Sequence, residues 1–171
     1  MTDPERQTGT GPRFDSARFR QVLGHFVTGV TVVTGTAVDG APVGLAVGSF
    51  TSVSLEPPLV AFCPGKTSTS WPKIEPSGSF CVNILAEDQE DLCWVFAGKS
   101  DDKFQALGWR PSALGAPILE DVLAWIDCRI EAVHEAGDHY VVIGRVQDLS
   151  VGREHAGPLV FYRGGYGRFE P

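Results

Sequence analysis

Val47-Gly48-Ser49-Phe50-Thr51-Ser52-Val53-Ser54-Leu55-Glu56-Pro57-Pro58 places four hydroxyl side chains within six residues and then stops at a double proline. An extended chain sends successive side chains to opposite faces, so Phe50, Ser52 and Ser54 fall on one face and Thr51, Val53 and Leu55 on the other. Taken alone, a strand this rich in serine and threonine reads as the solvated face of a sheet. The same hydroxyls can also meet a polar, anionic molecule laid along the sheet. The rest of the chain decides between the two.

Upstream, Val30-Thr31-Val32-Val33-Thr34 is a β-branched run, and Asp39-Gly40 suits a tight turn. Residues 28–36 and 43–55 are therefore expected to be antiparallel partners, with the hydroxyl stretch in the returning strand. Before them, Ser16 is placed to cap an amphipathic helix of about ten residues that carries Phe19, Val22, Leu23 and Phe26 and ends near Gly24 or Gly29. Downstream, residues 59–64 form a short apolar strand and residues 79–85 another. Residues 86–96 read as a helix with Glu87, Asp88, Glu90 and Asp91 in its first turns, stopped at Gly98. Residues 123–134 and 140–149 are two long β segments joined by a connection over 135–139. A last strand covers 158–162, before a Gly-rich aromatic segment, 163–169. About seven strands, mostly in hairpins, against two or three short helices predict a mainly β barrel with peripheral helices.

The chain has 171 residues, enough for one domain with a real core, expected over residues 15–170. Residues 1–14 read as a disordered polar tail, neither a signal peptide nor a membrane anchor. No run of about 18 uncharged apolar residues exists, so no transmembrane helix and no membrane partner are expected. A net charge of −7 argues against nucleic acid, whose recognition is built on lysine and arginine contacts to phosphate. Cys63, Cys81, Cys93 and Cys128 lie far apart in apolar segments with no metal-ligand spacing. They read as buried, reduced thiols of a cytoplasmic protein, with no metal site.

Gly65-Lys66-Thr67-Ser68-Thr69-Ser70-Trp71-Pro72 gathers one lysine and four hydroxyls directly before a short helix. Such a cluster can offer side-chain donors and open backbone N–H groups to an anion such as phosphate, or it can be an ordinary capped loop. It is not a Walker loop, and no G-x-G-x-x-G follows a strand, so a nicotinamide nucleotide would not be held in a Rossmann crevice. No Ser-His-Asp set, H-E-x-x-H or paired carboxylates stand at a useful spacing. The side chains are chemically poor, and an enzyme of this kind lets a cofactor carry the reaction.

Three stretches together point further. They are Phe26-Val27-Thr28-Gly29-Val30-Thr31-Val32-Val33-Thr34, then Ser49 through Val60, then Gly137-Asp138-His139. In that order and separation the chain resembles the short-chain flavin reductase family over residues 16–169. The resemblance implies an FMN-binding split β-barrel that forms a homodimer, with two active sites in grooves at the subunit interface. It implies hydride transfer from NADH or NADPH to FMN or FAD, with the reduced flavin passed to a separate flavin-dependent monooxygenase. It sets Gly48, Ser49, Thr51, Ser52, Val53 and Ser54 along the flavin, and Lys66, Ser68, Thr69 and Ser70 at its phosphate. Lys103 and Phe104 match a basic-aromatic pair that helps bind flavin. Gly137, Asp138 and His139 match a turn that meets the nicotinamide nucleotide, with His139 orienting it or easing charge development and Tyr166 at the rim. Two positions depart from the pattern: Ala46 and Gly48 stand where the family often has Thr and Asn, so side-chain hydrogen bonds to the flavin are missing. A carrier or sensor that binds flavin or haem without turnover, and a flavoenzyme that reduces another acceptor, remain open on the sequence.

Overall fold

The β-branched run and the Asp39-Gly40 turn build the hairpin that the sequence leads one to expect, but the hydroxyl stretch leaves it. The structure, a computed structural model, describes residues 13–100 and 102–170. Most of the expected tail over residues 1–14 lies outside the described residues. Helix α1 spans Ser16–Leu23, followed by strands β1 (Thr28–Gly29), β2 (Thr31–Thr36), β3 (Pro42–Val47), β4 (Thr51–Leu55) and β5 (Pro58–Phe62). Then come α2 (Trp71–Ile74), β6 (Ser79–Ile84), α3 (Glu90–Ala97), β7 (Trp109–Pro111) and β8 (Pro117–Leu119). The chain closes with β9 (Ala124–Ala136), β10 (His139–Val151), β11 (Leu159–Tyr162) and β12 (Gly165–Arg168).

The main sheet has seven strands in the order β3-β2-β6-β9-β10-β5-β4, every neighbouring pair antiparallel. Strands β1, β11 and β12 make a second sheet, and β7 and β8 a two-stranded ribbon. The described residues are mainly β with three short α-helices, as expected, but with twelve strands where about seven were read. The additional ones are short or carry proline and glycine, which depress any strand signal.

The stretch 43–55 is two strands and not one. β3 pairs with β2, setting Thr31 opposite Val47, and ends there. Ser49 Oγ then accepts from the Cys63 N–H at 2.9 Å and contacts the Cys63 carbonyl at 3.4 Å, so a side chain takes a ladder position. The chain turns, and β4 pairs with β5 at the far edge of the sheet, Thr51 opposite Ala61 and Leu55 opposite Pro58. The register slips between Ser52 and Ser54, a bulge at Val53 that breaks the alternation assumed for this strand.

Other boundaries move for local reasons. Asp15, not Ser16, caps α1: its carboxylate accepts from the Arg18 N–H at 2.8 Å, and the helix is eight residues long, closed by Gly24. Its apolar positions Phe19, Val22 and Leu23, and Phe26 beyond it, are at least half exposed. α3 starts at Glu90 rather than 86, because the Gln89 side chain accepts from the Ala86 N–H at 3.0 Å and holds the preceding residues in a turn. The β9–β10 hairpin is longer than expected, 13 residues in each strand, and its turn is only Gly137 and Asp138, with Gly137 at φ 64°.

Two apolar clusters hold the layers together. In the first, Phe62 packs edge-on to Trp71 and Phe80, at 5.5 and 5.1 Å between ring centres, with Val33, Ile74 and Val142 around them. Each such fully buried side chain contributes roughly 1.5–3 kcal/mol. The second lies under α3, where Phe96, Cys93, Val32, Leu85 and Leu159 meet. Here α3 comes so close to β3 that a Cβ on Gly44 would stand 2.5 Å from the Phe96 ring. Cys81, Cys93 and Cys128 are buried free thiols and Cys63 is partly exposed. Burial pushes the Cys128 thiol up to about 12, so it stays protonated and inert.

Candidate active site

Two segments far apart in sequence dock on each other: the loop after β5 and the β9–β10 turn. The Tyr140 N–H donates to the Pro64 carbonyl at 2.9 Å, and the Lys66 N–H to the Asp138 carbonyl at 2.8 Å. Gly65 and His139 face each other in an isolated bridge. Asp138 Oδ1 stands 2.7 Å from His139 Nδ1, and this hydrogen bond holds the Asp138 carboxyl below its ordinary range. A Cβ on Gly65 would lie 3.6 Å from His139 Nε2 and 3.8 Å from Thr67 Oγ1, so the second ring nitrogen looks onto the loop. The predicted phosphate loop and the predicted nicotinamide turn are thus one local structure.

Lys66 does not point an unoccupied ammonium at this space. Its Nζ lies 2.8 Å from Glu135 and 5.5 Å from the centre of the Tyr140 ring. The hydrogen bond to Glu135 raises the lysine and lowers the carboxylate from their ordinary values. Both groups are exposed, so the pair exchanges readily with water or a ligand oxygen.

Beside this junction is a groove of about 260 Å³ lined by Thr67, Ser68, Thr69, Ser70, Lys99 and Lys103, with Leu45 and Ala46 of β3. Among the described residues its lining carries two lysines and no carboxylate. That donor set fits a phosphate-bearing ligand. The expectation of open N–H groups before α2 needs correction: Ser68 Oγ accepts from the N–H of Ser70 at 3.3 Å and of Trp71 at 3.1 Å. Side chains, rather than that backbone, are the donors offered to the groove.

Lys103 is 8% exposed. Its Nζ donates to the Gly44 carbonyl at 3.2 Å and to the Phe96 carbonyl at 3.0 Å, stapling the end of α3 to β3 beneath the groove. Phe104 packs edge-on to Phe96 and lines a neighbouring pocket.

The hydroxyl stretch lies elsewhere on the same chain. Gly48 lines a largely apolar groove of about 800 Å³ with Phe19, Leu23, Phe26 and Phe161. Thr51 Oγ1 donates to the Ser52 carbonyl at 3.1 Å, Ser52 and Val53 are exposed, and Ser54 is half-buried. Tyr166 sits on the second core cluster, its hydroxyl 3.2 Å from Cys93 Sγ and its ring edge-on to Trp94, and burial raises its phenol. One chain therefore gathers Ser68, Thr69, Ser70 and Lys103 at one groove, with His139 beside them, and leaves Gly48–Ser54 and Tyr166 outside its lining. The sequence reading missed Thr67, Lys99 and Glu135. Thr67 lay in the quoted loop, and Lys99 and Glu135 show only as charges near turns.

Residues 23–170 match the flavin reductase like domain. The chain belongs to the flavin reductase-like family. It is 57% identical over 155 residues to a flavin reductase of Pseudomonas putida, covering 91% of each chain. It is also 57% identical over 157 residues to HsaB, the reductase subunit of a flavin-dependent monooxygenase in Rhodococcus jostii, covering 92% of this chain and 80% of that one. Among solved structures, nitrilotriacetate monooxygenase component B from Mycobacterium thermoresistibile superimposes with a TM-score of 0.87 at 52% identity, covering 91% of this chain and 87% of that one. For a flavin reductase-like chain, Gly48 is informative: a Cβ there would meet only Thr28 Oγ1, at 3.4 Å. A methyl group there would have no other heavy atom within 4 Å outside its chain neighbours.

Proposed function

We propose that this chain is an NAD(P)H:flavin oxidoreductase that reduces FMN or FAD and supplies the reduced flavin to a separate monooxygenase. The observation that carries this reading is the docking of the hydroxyl-lysine loop against the Gly137–His139 turn around one lysine-bearing groove. Flavin, when bound, supplies the two-electron chemistry that none of this chain's side chains can. Ser68, Thr69, Ser70 and Lys103 hold its phosphate end, and Lys66 joins them when its pair with Glu135 opens. Gly48, Ser49, Thr51, Ser52, Val53 and Ser54 border the ring system, and Phe104 flanks the bound flavin. Gly137, Asp138 and His139 receive the nicotinamide nucleotide. Asp138 fixes the His139 ring through Nδ1, so that Nε2 is aimed at the loop. Tyr166, held against Cys93 on the second core cluster, takes no part in this groove. No side chain is asked to be a base, because holding two reactants in a near-attack geometry lowers a barrier by roughly 7–11 kcal/mol.

The chain acts as a homodimer in this reading. Phe19, Val22, Leu23 and Phe26 leave an apolar face at least half exposed, and Leu55 is 94% exposed on the edge strand β4. An apolar surface of that kind on a soluble chain marks an interaction site. A second copy covering it would bring the Gly48–Ser54 stretch into a shared groove. Net charge −7 and free cysteines support a cytoplasmic setting without nucleic acid. Among the described residues, no helix is long and apolar enough to cross a membrane, and no group of His, Cys, Asp and Glu is arranged to hold a metal.

The test is steady-state turnover by the purified protein. Oxidation of NADH or NADPH that depends on added FMN or FAD, and saturates in both, is the expected result. Colour retained through purification with no nicotinamide oxidation would leave a carrier instead.

A further inference from the structure

Along residues 65–70 of the hydroxyl loop, Gly65, Thr67, Ser68, Thr69 and Ser70 all line the 260 Å³ groove. Lys66, the one charged residue of that run, is absent from the lining. Its side chain reaches instead to the β9–β10 hairpin, with Nζ 2.8 Å from Glu135 Oε2 and 5.5 Å from the centre of the Tyr140 ring. Glu135 and Tyr140 stand directly opposite each other on the two strands, which puts their side chains on one face. A carboxylate and an aromatic face thus hold one ammonium between them, away from the groove.

Moving that ammonium asks nothing of the backbone. The Lys66 N–H donates to the Asp138 carbonyl at 2.8 Å, the Ser68 N–H to the Gly65 carbonyl at 2.9 Å and the Tyr140 N–H to the Pro64 carbonyl at 2.9 Å, so the loop is pinned on both sides of Lys66. What can change is the flexible four-carbon stem of the lysine. The Glu135 side chain is 77% exposed, so its carboxylate is hydrated by water as soon as the lysine leaves, and an exposed pair of this kind is weak. A phosphate monoester carries about −1.5 to −2 charge near neutral pH, more than the single charge on Glu135. Such a group lying against Thr67–Ser70 competes with Glu135 for Lys66. A flavin without phosphate offers the lysine nothing.

We propose that Glu135 is an internal competitor for the flavin phosphate, holding Lys66 off the groove until a phosphorylated flavin draws the lysine across. Glu135 thereby sets how tightly FMN is held relative to riboflavin, and keeps that hold loose enough for reduced flavin to leave. It is a positioning residue that acts through Lys66 and touches no reactant. The proposal rests on the flavin reductase reading and adds to it the residue that tunes flavin release.

Glu135→Gln keeps the shape of the side chain and removes its charge; Lys66→Met and the double variant complete a cycle that isolates the coupling between the two. Dissociation constants for FMN and riboflavin are read by quenching of flavin fluorescence, FMN dissociation rates by stopped flow, and folding by the thermal midpoint of each variant. Glu135→Gln should lower the FMN dissociation constant by about threefold, the size expected for releasing an exposed pair. Most of that change should appear as slower FMN dissociation. Riboflavin affinity should not change. Lys66→Met should weaken FMN binding but not riboflavin binding, and adding Glu135→Gln to it should have no further effect. Unchanged FMN affinity in Glu135→Gln would overturn the proposal. Weaker FMN binding would overturn it too, by making the pair a support that holds Lys66 in place for the phosphate. So would equal tightening for riboflavin, or tightening that persists with Lys66→Met, since Glu135 would then act on the ligand without the lysine. A parent protein that binds neither FMN nor riboflavin would instead remove the flavin reading on which the proposal stands.

Discussion

Lys103→Met separates the structural and ligand roles of the cation under the groove. The substitution keeps an unbranched side chain of similar length and removes the charge. Lys103 Nζ reaches the Gly44 and Phe96 carbonyls at 3.2 and 3.0 Å, and it is almost fully buried. Hydrogen bonds from a charged donor are worth about 1.5–3 kcal/mol each. Against that loss, about 3–6 kcal/mol for the two bonds, stands the desolvation of a buried ammonium, several kcal/mol, which methionine no longer requires. A partial offset that leaves a net destabilisation of about 2 kcal/mol is the outcome expected. In a chain of this length each kcal/mol moves the thermal midpoint by about 2–4 °C, so the midpoint should fall by roughly 4–8 °C. Circular dichroism at fixed protomer concentration measures it, since an oligomer's midpoint depends on concentration. Flavin affinity should fall as well, by about tenfold or 1.4 kcal/mol, read by fluorescence quenching. A midpoint within about 1 °C of the parent would refute the stapling argument. A lowered midpoint with flavin affinity unchanged would refute the ligand role and leave Lys103 a purely structural cation.

Three further outcomes follow from the same geometry. His139→Ala should raise the NADH KM by about tenfold while flavin affinity stays within about twofold, and an unchanged KM would remove His139 from nicotinamide binding. Gly48→Ala should stabilise the fold by about 0.4–1 kcal/mol, because the added methyl meets only Thr28 Oγ1; a lowered thermal midpoint would contradict the open space found there. Asp127 is buried with one carboxylate oxygen lacking a partner among the described residues, and burial raises its pKa. Its folded form holds its proton to higher pH than the unfolded chain does, so its contribution is fully present below the unfolded carboxyl range and is lost as pH rises through the folded value. Asp127→Asn removes this loss, so its stability relative to the parent should increase as pH rises from the acid range toward neutral. Urea midpoints across that interval check it, and a constant difference would contradict the sign.

How much of this was legible in the sequence differs by element. The β9–β10 hairpin, the β2–β3 turn and the buried strand β5 showed because periodicity and turn residues are local signals. The break at Gly48 did not, because its cause is Ser49 bonding to Cys63, 14 residues away, and a run of hydroxyls gives no sign of that partner. Strands β7 and β8 were hidden by Pro111 and Pro117. The apolar stripe of α1 was legible as periodicity, but such a pattern does not say what covers it, and within this chain the stripe stays about half exposed. At the site, hydroxyl spacing marked the loop after β5, and the Gly137–His139 turn was recognised by resemblance. That the two touch, and that Ser68 occupies the N–H groups before α2, required the fold. The confinement of every lysine to residues 66–103 was in the sequence throughout. The fold brings Lys99 and Lys103 to the lining of one groove and Lys73 and Lys103 to that of the next.

The proposed function requires that this chain alone pass electrons from a nicotinamide nucleotide to flavin. Anaerobic rapid mixing of NADH with the purified protein and one equivalent of FMN tests it most directly. Oxidised-flavin absorbance should be lost in step with NADH, one for one, and more slowly when the transferred hydrogen of NADH is deuterium. Flavin that stays oxidised while NADH is untouched, with binding of both demonstrated, would contradict it.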